Sequence, residues 1–316
     1  MKTGFGPLLL VAVVSLQAQQ SIEADSPCAA VAFSSDGTLA AACQDGKVRV
    51  WAPEGGNLKH TIQLDDEGRL TGNSVRLPPG QDVVVAVTED DGVRIWDRRT
   101  GELRQHVQSI TGDVRRPVIS QDGNWLVTQG EGTTVELWDL TEGKRRFQLD
   151  GGMGGVSALA ISANQQAILA GAFDTDMRVW KASNGELIRK MTYLKLATYV
   201  IAFSPDGKQV ATGGVDRSVY LWNASTWTIT KKLDTSPEQI TAIAYSPDGK
   251  LLMTGGTSDF DPAVTPASIN FWDPQSGRLV RRIEEQKRTS SVAFAPDGKT
   301  AASAHRDKTI KLWTVP

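Results

Sequence analysis

The sequence predicts an all-β fold, a seven-bladed β-propeller of four-stranded antiparallel blades. Two observations lead to this prediction. Seven short alternating segments each end on a tryptophan, at Trp51, Trp96, Trp138, Trp180, Trp222, Trp272 and Trp313. These tryptophans are 45, 42, 42, 42, 50 and 41 residues apart, a period typical of a unit of four strands and too long for most leucine-rich or paired-helix repeats.

Each unit is predicted to contain the same four strands, a to d. A short apolar strand a leads into a turn such as Ser-Pro-Asp-Gly at 204–207, in which proline presets the first turn angle and glycine accepts a positive φ. An apolar strand b, a tight turn and the tryptophan-ended strand c follow. Strand d then carries basic pairs such as Arg145 and Arg146, which we interpret as charges that keep an exposed edge strand from aggregating.

The last unit lacks a strand d of its own, because Trp313 lies three residues before the end of the chain. The segment Gln19–Asp25 precedes the first strand a and is predicted to pair with the last strand c. This pairing would close the ring and remove two open sheet edges. We therefore expect one domain over residues 19–316.

Residues 1–18 are predicted to be a signal peptide. Lys2 precedes a nine-residue apolar run from Leu8 to Leu16, and such a run is far shorter than the roughly 20 residues that span a bilayer. Cleavage is expected after Ala18, with an uncleaved leader as the alternative. The protein is then exported to the periplasm or the medium without a membrane span, and the repeated Ser-Pro-Asp-Gly-Lys turns suggest a bacterial source.

The two cysteines, Cys28 and Cys43, could form a disulfide in an exported protein. Their pairing depends on the register of the first hairpin. If Ser34 opposes Gly37, Cys28 faces Cys43; if a glycine bulge makes Ser34 oppose Thr38, the two side chains point to opposite faces. An Asp-Gly pair that ends a type I turn favours the second register, so two buried free thiols are preferred over a disulfide.

Composition and charge exclude several function classes. With 40% hydrophobic and 22% charged residues, a net charge of −2 and a pI near 6.0, the chain has no overall attraction to nucleic acid or anionic membranes. The three histidines lie in separate units, and neither a nucleophile motif nor a phosphate loop is present. The glycine-rich residues 151–155 precede a strand and are interpreted as a flexible loop. We predict no catalytic, cofactor-binding or metal-binding residues.

The repeats resemble the WD-repeat β-propeller family. Literal Trp-Asp pairs occur at Trp96-Asp97, Trp138-Asp139 and Trp272-Asp273. The aspartate that the family places six residues before the tryptophan matches Asp45, Asp90, Asp174, Asp216 and Asp307.

The resemblance implies a structural network of this aspartate with the tryptophan indole, a Ser or Thr on strand b and a histidine from the d–a loop. The hydroxyl position matches Thr128, Thr212, Thr254 and Ser303, but no histidine lies in a d–a loop. We therefore expect a shorter arrangement of aspartate, hydroxyl and tryptophan.

Two departures from the repeat are candidate partner-binding sites. The first is an insertion in unit six that contains Asp259, Phe260 and Asp261; the resemblance places it on the face that partners use, and the alternative is that Phe260 fills a gap between blades. The second is a group of three arginines, Arg76, Arg115 and Arg116, on predicted innermost strands. They could bind an anion, although an internal ion pair with Asp82 or Asp113 is preferred.

We therefore expect a non-catalytic, monomeric binding scaffold whose partner is a protein or peptide. One alternative is a secreted hydrolase or lyase with its site in the central channel, which would need convergent titratable groups. Another is a glycan-binding propeller, which would use exposed aromatic side chains such as Phe260, Tyr193 and Trp227.

Overall fold

The computed structural model describes residues 20–52, 56–64, 75–78, 82–88, 92–107, 115–120, 122–130, 132–174, 176–192, 197–235, 238–257, 267–285 and 287–316. Of residues 75, 76, 87, 88, 92, 115 and 116, only the backbone is described. The predicted signal peptide, residues 1–18, lies outside these ranges.

The 28 strands form seven antiparallel sheets of four strands each. The inner strands a are β2 (Cys28–Phe33), β6 (Val75–Arg76), β10 (Arg115–Ile119), β14 (Val156–Ile161), β18 (Thr198–Phe203), β22 (Gln239–Tyr245) and β26 (Thr289–Phe294). The strands b are β3 (Leu39–Cys43), β7 (Val83–Thr88), β11 (Trp125–Gln129), β15 (Ala167–Ala172), β19 (Gln209–Gly214), β23 (Leu252–Thr257) and β27 (Thr300–His305).

The strands c are β4 (Lys47–Trp51), β8 (Gly92–Asp97), β12 (Thr134–Asp139), β16 (Met177–Lys181), β20 (Ser218–Asn223), β24 (Ala267–Trp272) and β28 (Thr309–Thr314). The strands d are β5 (Leu58–Gln63), β9 (Leu103–Val107), β13 (Lys144–Asp150), β17 (Leu187–Met191), β21 (Thr228–Asp234) and β25 (Leu279–Glu285). The predicted fold class is confirmed.

The N-terminal strand β1 (Gln20–Glu23) supplies the fourth strand of the last blade. It pairs antiparallel with β28, and Ile22 lies opposite Ile310. Ile22 packs into a core shared by the first and last blades. The predicted closure of the ring by the N-terminal segment is therefore confirmed.

The hydrophobic core is divided into seven clusters, one between each pair of neighbouring blades. Each closing tryptophan packs between its own blade and the preceding one: Trp222, for example, contacts Met177, Val179 and Met191 of blade four. A blade therefore buries its apolar faces only against its neighbours, as in other repeat architectures.

The first hairpin corrects the prediction about the cysteines. The amide of Ser34 donates to the carbonyl of Thr38 at 2.9 Å and Gly37 has a φ of 81°, so the predicted glycine bulge is present. A second bulge at Ala29 then shifts the register and places Cys28 opposite Cys43. The two residues form a buried disulfide, and the preference for free thiols is wrong.

Candidate partner-binding site

The b–c turns and the d–a loops lie on one face of the ring, which we call the top face, because the four strands of a blade alternate in direction. The a–b and c–d turns lie on the opposite, bottom face. Side chains at the top ends of the strands form a polar network that the repeat positions in unit after unit.

In blades one, four and five, the centre of this network is the side chain two residues before the closing tryptophan, which reaches back to the aspartate of the b–c turn. In blade one, Arg49 Nη2 lies 2.6 Å from Asp45 Oδ2 and 2.9 Å from Asp25 Oδ2, so it joins the turn to the loop before strand a. In blade five, the Tyr220 hydroxyl donates to Asp216 Oδ2 at 2.6 Å. The turn aspartates are thus bound to strand c.

Blade four repeats the arrangement with an arginine. Arg178 is 6% exposed and contacts Asp174 Oδ2 at 3.2 Å and Asp176 Oδ2 at 3.3 Å. It also donates to the carbonyl of Gly151 in the d–a loop at 3.2 Å. Lys190 Nζ of the outer strand lies 2.8 Å from Asp176 Oδ2, so a cation of strand d completes the network.

In blade six a buried carboxylate takes over this role. The turn position that holds aspartate elsewhere is Pro266, which lies outside the described residues. Glu238 from the d–a loop is completely buried, and its Oε2 accepts the Ser268 amide at 2.8 Å while its Oε1 lies 3.0 Å from Arg282 Nη2. In blade six the negative charge of the network therefore comes from the d–a loop instead of the b–c turn.

The tryptophan indoles bind the predicted hydroxyls in three blades. Nε1 donates to Thr212 at 2.9 Å in blade five, to Thr254 at 3.1 Å in blade six and to Ser303 at 2.8 Å in blade seven. The prediction that the turn aspartate joins this pair is wrong for Asp216, which binds Tyr220 instead. In blade seven a histidine does join it, because the Ser303 hydroxyl lies 2.7 Å from His305 Nε2.

Hydrogen bonds connect the glycine-rich loop 151–155 to strand d of blade three and to the b–c turn of blade four. Gly152 N donates to Asp150 Oδ1 at 3.0 Å, and the Phe173 amide donates to the carbonyl of Gly155 at 3.0 Å. The glycines at 152, 154 and 155 have φ values of 98°, 93° and 87°, which residues with a side chain rarely adopt. The loop displays Met153 on the top face.

Comparison with known protein families finds the WD domain, G-beta repeat, in five segments of the chain: residues 17–52, 143–181, 197–223, 227–261 and 277–314. Together these segments cover more than half of the sequence. The chain belongs to the WD40 repeat family. No curated protein matches it in sequence.

The WD40 matches leave out blade two and most of blade three, which fall between residues 52 and 143. In blade three the polar network differs from that of blades one, four and five. Gly132 stands at the turn position of blade three, and Glu136 pairs with Arg145 of strand d at 2.6 Å. Among the described atoms, neither Trp138 Nε1 nor Thr128 Oγ1 has a hydrogen-bond partner, although both are buried.

Some of the predicted site residues of this WD40 propeller lie within the described ranges, and others lie outside them. Asp90 and the insertion residues Asp259, Phe260 and Asp261 lie outside the described residues. Arg76 lies on β6, and Arg115 and Arg116 lie on β10. These two inner strands are neighbours in the ring, and the side chains of the three arginines are not described.

Of the two aspartates that were expected to pair with these arginines, one is described. Asp82 lies 3.8 Å from Arg98 Nη2 and 3.7 Å from Arg99 Nε, and Asp113 is not among the described residues. Arg98 is 1% exposed at a position that is Leu140, Ala182 and Ala224 in other blades. Burial lowers the pKa of the Arg98 guanidinium, although the negative charges of Asp82 and Asp36 act to raise it.

The pKa values of ionisable side chains in the network are shifted by burial and by hydrogen-bonding or charged partners. Burial opposes the charged form of Asp45, but the hydrogen bond and charge of Arg49 outweigh it and lower the pKa of Asp45. Burial is also the main cause of the raised pKa of Glu238 and of the lowered pKa of His305. Burial and then the hydrogen bond to Asp216 raise the pKa of Tyr220 to about 12.

Three further subjects of the sequence analysis are glycan binding, metal binding and membrane spans. Trp227 is 7% exposed and packs in the core between blades four and five, so it is not available to stack on a glycan; Tyr193 and Phe260 are not described. Within the described ranges no group of three or more His, Cys, Asp or Glu could hold a metal ion. The same ranges contain no helix long and apolar enough to cross a membrane.

The residues that organise the top face were not among those predicted from the sequence. Arg49, Arg178 and Tyr220 share a position two residues before the tryptophan, and this shared spacing from the turn aspartate was the available signal. Glu238 and His305 carry no such signal, because each occurs in one blade only.

Proposed function

We propose that this WD40 propeller is an exported, monomeric and non-catalytic scaffold that presents its top face to a protein or peptide partner. The contrast between the two faces supports the proposal. On the bottom face, the a–b turns of blades one, three, four, five and six repeat one closed unit, in which a serine hydroxyl donates to the Asp or Asn two residues later.

The top face differs from blade to blade. Its loops carry the buried Glu238 in blade six, the ordered glycines at 151–155 in blade four and an insertion at 257–266. Variable loops on a rigid scaffold are where binding residues concentrate. The insertion residues Asp259, Phe260 and Asp261 and the arginines Arg76, Arg115 and Arg116 remain proposed contributors to this face and to the mouth of the channel.

The disulfide supports export as part of the proposal. Disulfides persist in oxidising compartments such as the periplasm and the extracellular medium. Recovery of the protein from the exported fraction, with its N-terminus after Ala18 and its cysteines resistant to alkylation, is the expected result. Protein with an intact leader and two reactive thiols would contradict export.

Chemical crosslinking followed by affinity purification from the exported fraction tests the scaffold function. The wild type is compared with a deletion of residues 257–266 and with a bottom-face control that combines Lys208→Ala, Lys250→Ala and Lys299→Ala. One specific partner should be lost from the deletion and retained by the control. Loss from the control alone, or no partner with the wild type, would overturn the proposal.

A further inference from the structure

The top face of blade four carries two exposed apolar side chains in adjoining loops, which we call the apolar pair. Nine large hydrophobic side chains are exposed in the described part of the chain, and seven of them lie on the outer strands d. The other two are Met153, which is 80% exposed, and Phe173, which is 47% exposed. They belong to adjoining loops, because a Cβ at Gly154 would lie 3.5 Å from Phe173 Cβ.

The pair is held in position before any partner arrives. The carbonyls of Gly151 and Gly155 accept hydrogen bonds from Arg178 and from the Phe173 amide, and Asp150 accepts one from Gly152. Ordering a loop costs conformational entropy on binding, and a loop that is already ordered avoids most of this cost. Methionine and phenylalanine are also enriched at protein interfaces, where the thioether adapts to irregular apolar surfaces.

Three carboxylates, Asp150, Asp174 and Asp176, lie near the pair in the sequence, and two of them are paired with cations. Asp174 and Asp176 share the buried guanidinium of Arg178, and Asp176 also pairs with Lys190. Asp150 is exposed, and no cation in the described residues forms an ion pair with it. Its carboxylate accepts the amide of Gly152, the residue before Met153, and is available to a positive charge from outside the chain.

We propose that Met153 and Phe173 anchor an exposed segment of a partner protein that carries an aliphatic or aromatic side chain next to a lysine or arginine. The apolar side chain covers the pair, and the cation of the partner contacts Asp150. This inference rests on the proposed scaffold function and names the chemistry of its partner.

Three short fluorescent peptides test the inference by fluorescence anisotropy. The first has the sequence Gly-Ser-Lys-Leu-Lys-Ser-Gly, the second replaces Leu by Ser, and the third replaces both Lys by Glu. The wild type should bind the first peptide at least about tenfold more tightly than the other two, as expected for one well-placed anchor. Equal binding of the three peptides, or no binding of any, would overturn the inference.

Matched variants locate the binding. Met153→Ser and Phe173→Ser should each weaken binding of the first peptide about tenfold, and Asp150→Asn should reduce the preference for Lys over Glu while keeping the hydrogen bond to Gly152. Leu187→Ser is the control, because Leu187 is 49% exposed on the outer strand β17. Unchanged binding by Met153→Ser, or an equal loss with Leu187→Ser, would also overturn the inference.

The partner from the crosslinking experiment separates this inference from the scaffold function. If that partner still binds the double variant Met153→Ser/Phe173→Ser, the anchor is wrong and the scaffold function stands. If the wild type crosslinks no partner, the scaffold function fails, whereas peptide discrimination by Met153 and Phe173 would still support the anchor surface.

Discussion

At the residue scale, the stability of a blade depends on whether its buried polar atoms have partners. Blades five, six and seven join the tryptophan indole to a hydroxyl of strand b. Blade three has the same residue types, yet Trp138 Nε1 and Thr128 Oγ1 are unpaired among the described atoms. A buried unpaired group costs free energy that a paired one does not, so equivalent substitutions should have different effects in the two settings.

Thr212→Val should lower the free energy of unfolding by about 1–3 kcal/mol, because it leaves the indole of the fully buried Trp222 without an acceptor. Urea denaturation followed by tryptophan fluorescence measures the change. Thr128→Val is the matched control and should be neutral or slightly stabilising, since it removes a hydroxyl without a partner. A similar loss of stability in both variants would contradict this account.

His305 should make the protein sensitive to acid. Burial lowers its pKa from the ordinary value of 6.5, with smaller effects from Glu285, Lys311 and Asp307. The folded protein therefore takes up this proton at a lower pH than the unfolded chain. The stability it contributes is complete above pH 6.5 and is lost as the pH falls through the folded pKa.

Urea midpoints measured from neutral to acidic pH check the role of His305. The wild type should lose stability below pH 6.5, and His305→Gln should lose less, because glutamine does not titrate and can still bind Ser303. Glu238, whose pKa is raised by burial, shifts stability in the opposite sense in both proteins, so the difference between them isolates His305. An identical pH dependence would contradict the assignment.

At the scale of the element, a bulge in strand a recurs through the chain. The register shifts at Ala29, Ser157, Tyr199, Thr241 and Ser290. These residues are of four different types, so no single residue type signals the bulge. The glycine bulge in the first a–b turn could be predicted because Asp-Gly has a specific backbone preference, but two bulges together cancel the change in register that separated Cys28 from Cys43.

The first hairpin should depend on its disulfide. The cysteines are 15 residues apart, and a crosslink across a loop of that size stabilises by about 3 kcal/mol. Adding a reductant should lower the urea midpoint of the wild type accordingly. The double variant Cys28→Ser/Cys43→Ser should already be less stable and should not respond to the reductant. A response in the double variant would show that the reductant acts elsewhere.

At the scale of the whole molecule, stability comes from seven apolar interfaces between neighbouring blades. The interface between the last and first blades differs from the others because strands from both ends of the chain meet in one sheet. Its core includes Ile22, Ile310 and Leu312. The four-residue strand β1 is therefore the closure of the ring.

Ile22→Ala should open this closure. Removing a buried aliphatic side chain costs about 2–5 kcal/mol, and we expect the lower end because Ile22 lies on an edge strand. Hydrogen exchange should accelerate at the amides of β28, which pair with β1, more than in β20 of blade five. Ser21→Ala, an exposed position on the same strand, is the control. Uniform acceleration in all blades would contradict local opening.

The spacing of seven tryptophans and the turn residues determined the number of blades, the order of their strands and the closure by the N-terminal segment, because strand period and turn chemistry are local properties of the chain. Only the tertiary structure decided which side chains meet. Arg282 and Glu238 are 44 residues apart, and Arg49 reaches Asp25 across a whole hairpin. Such contacts depend on how loops converge on the top face, as does the exposure of Met153 beside Phe173.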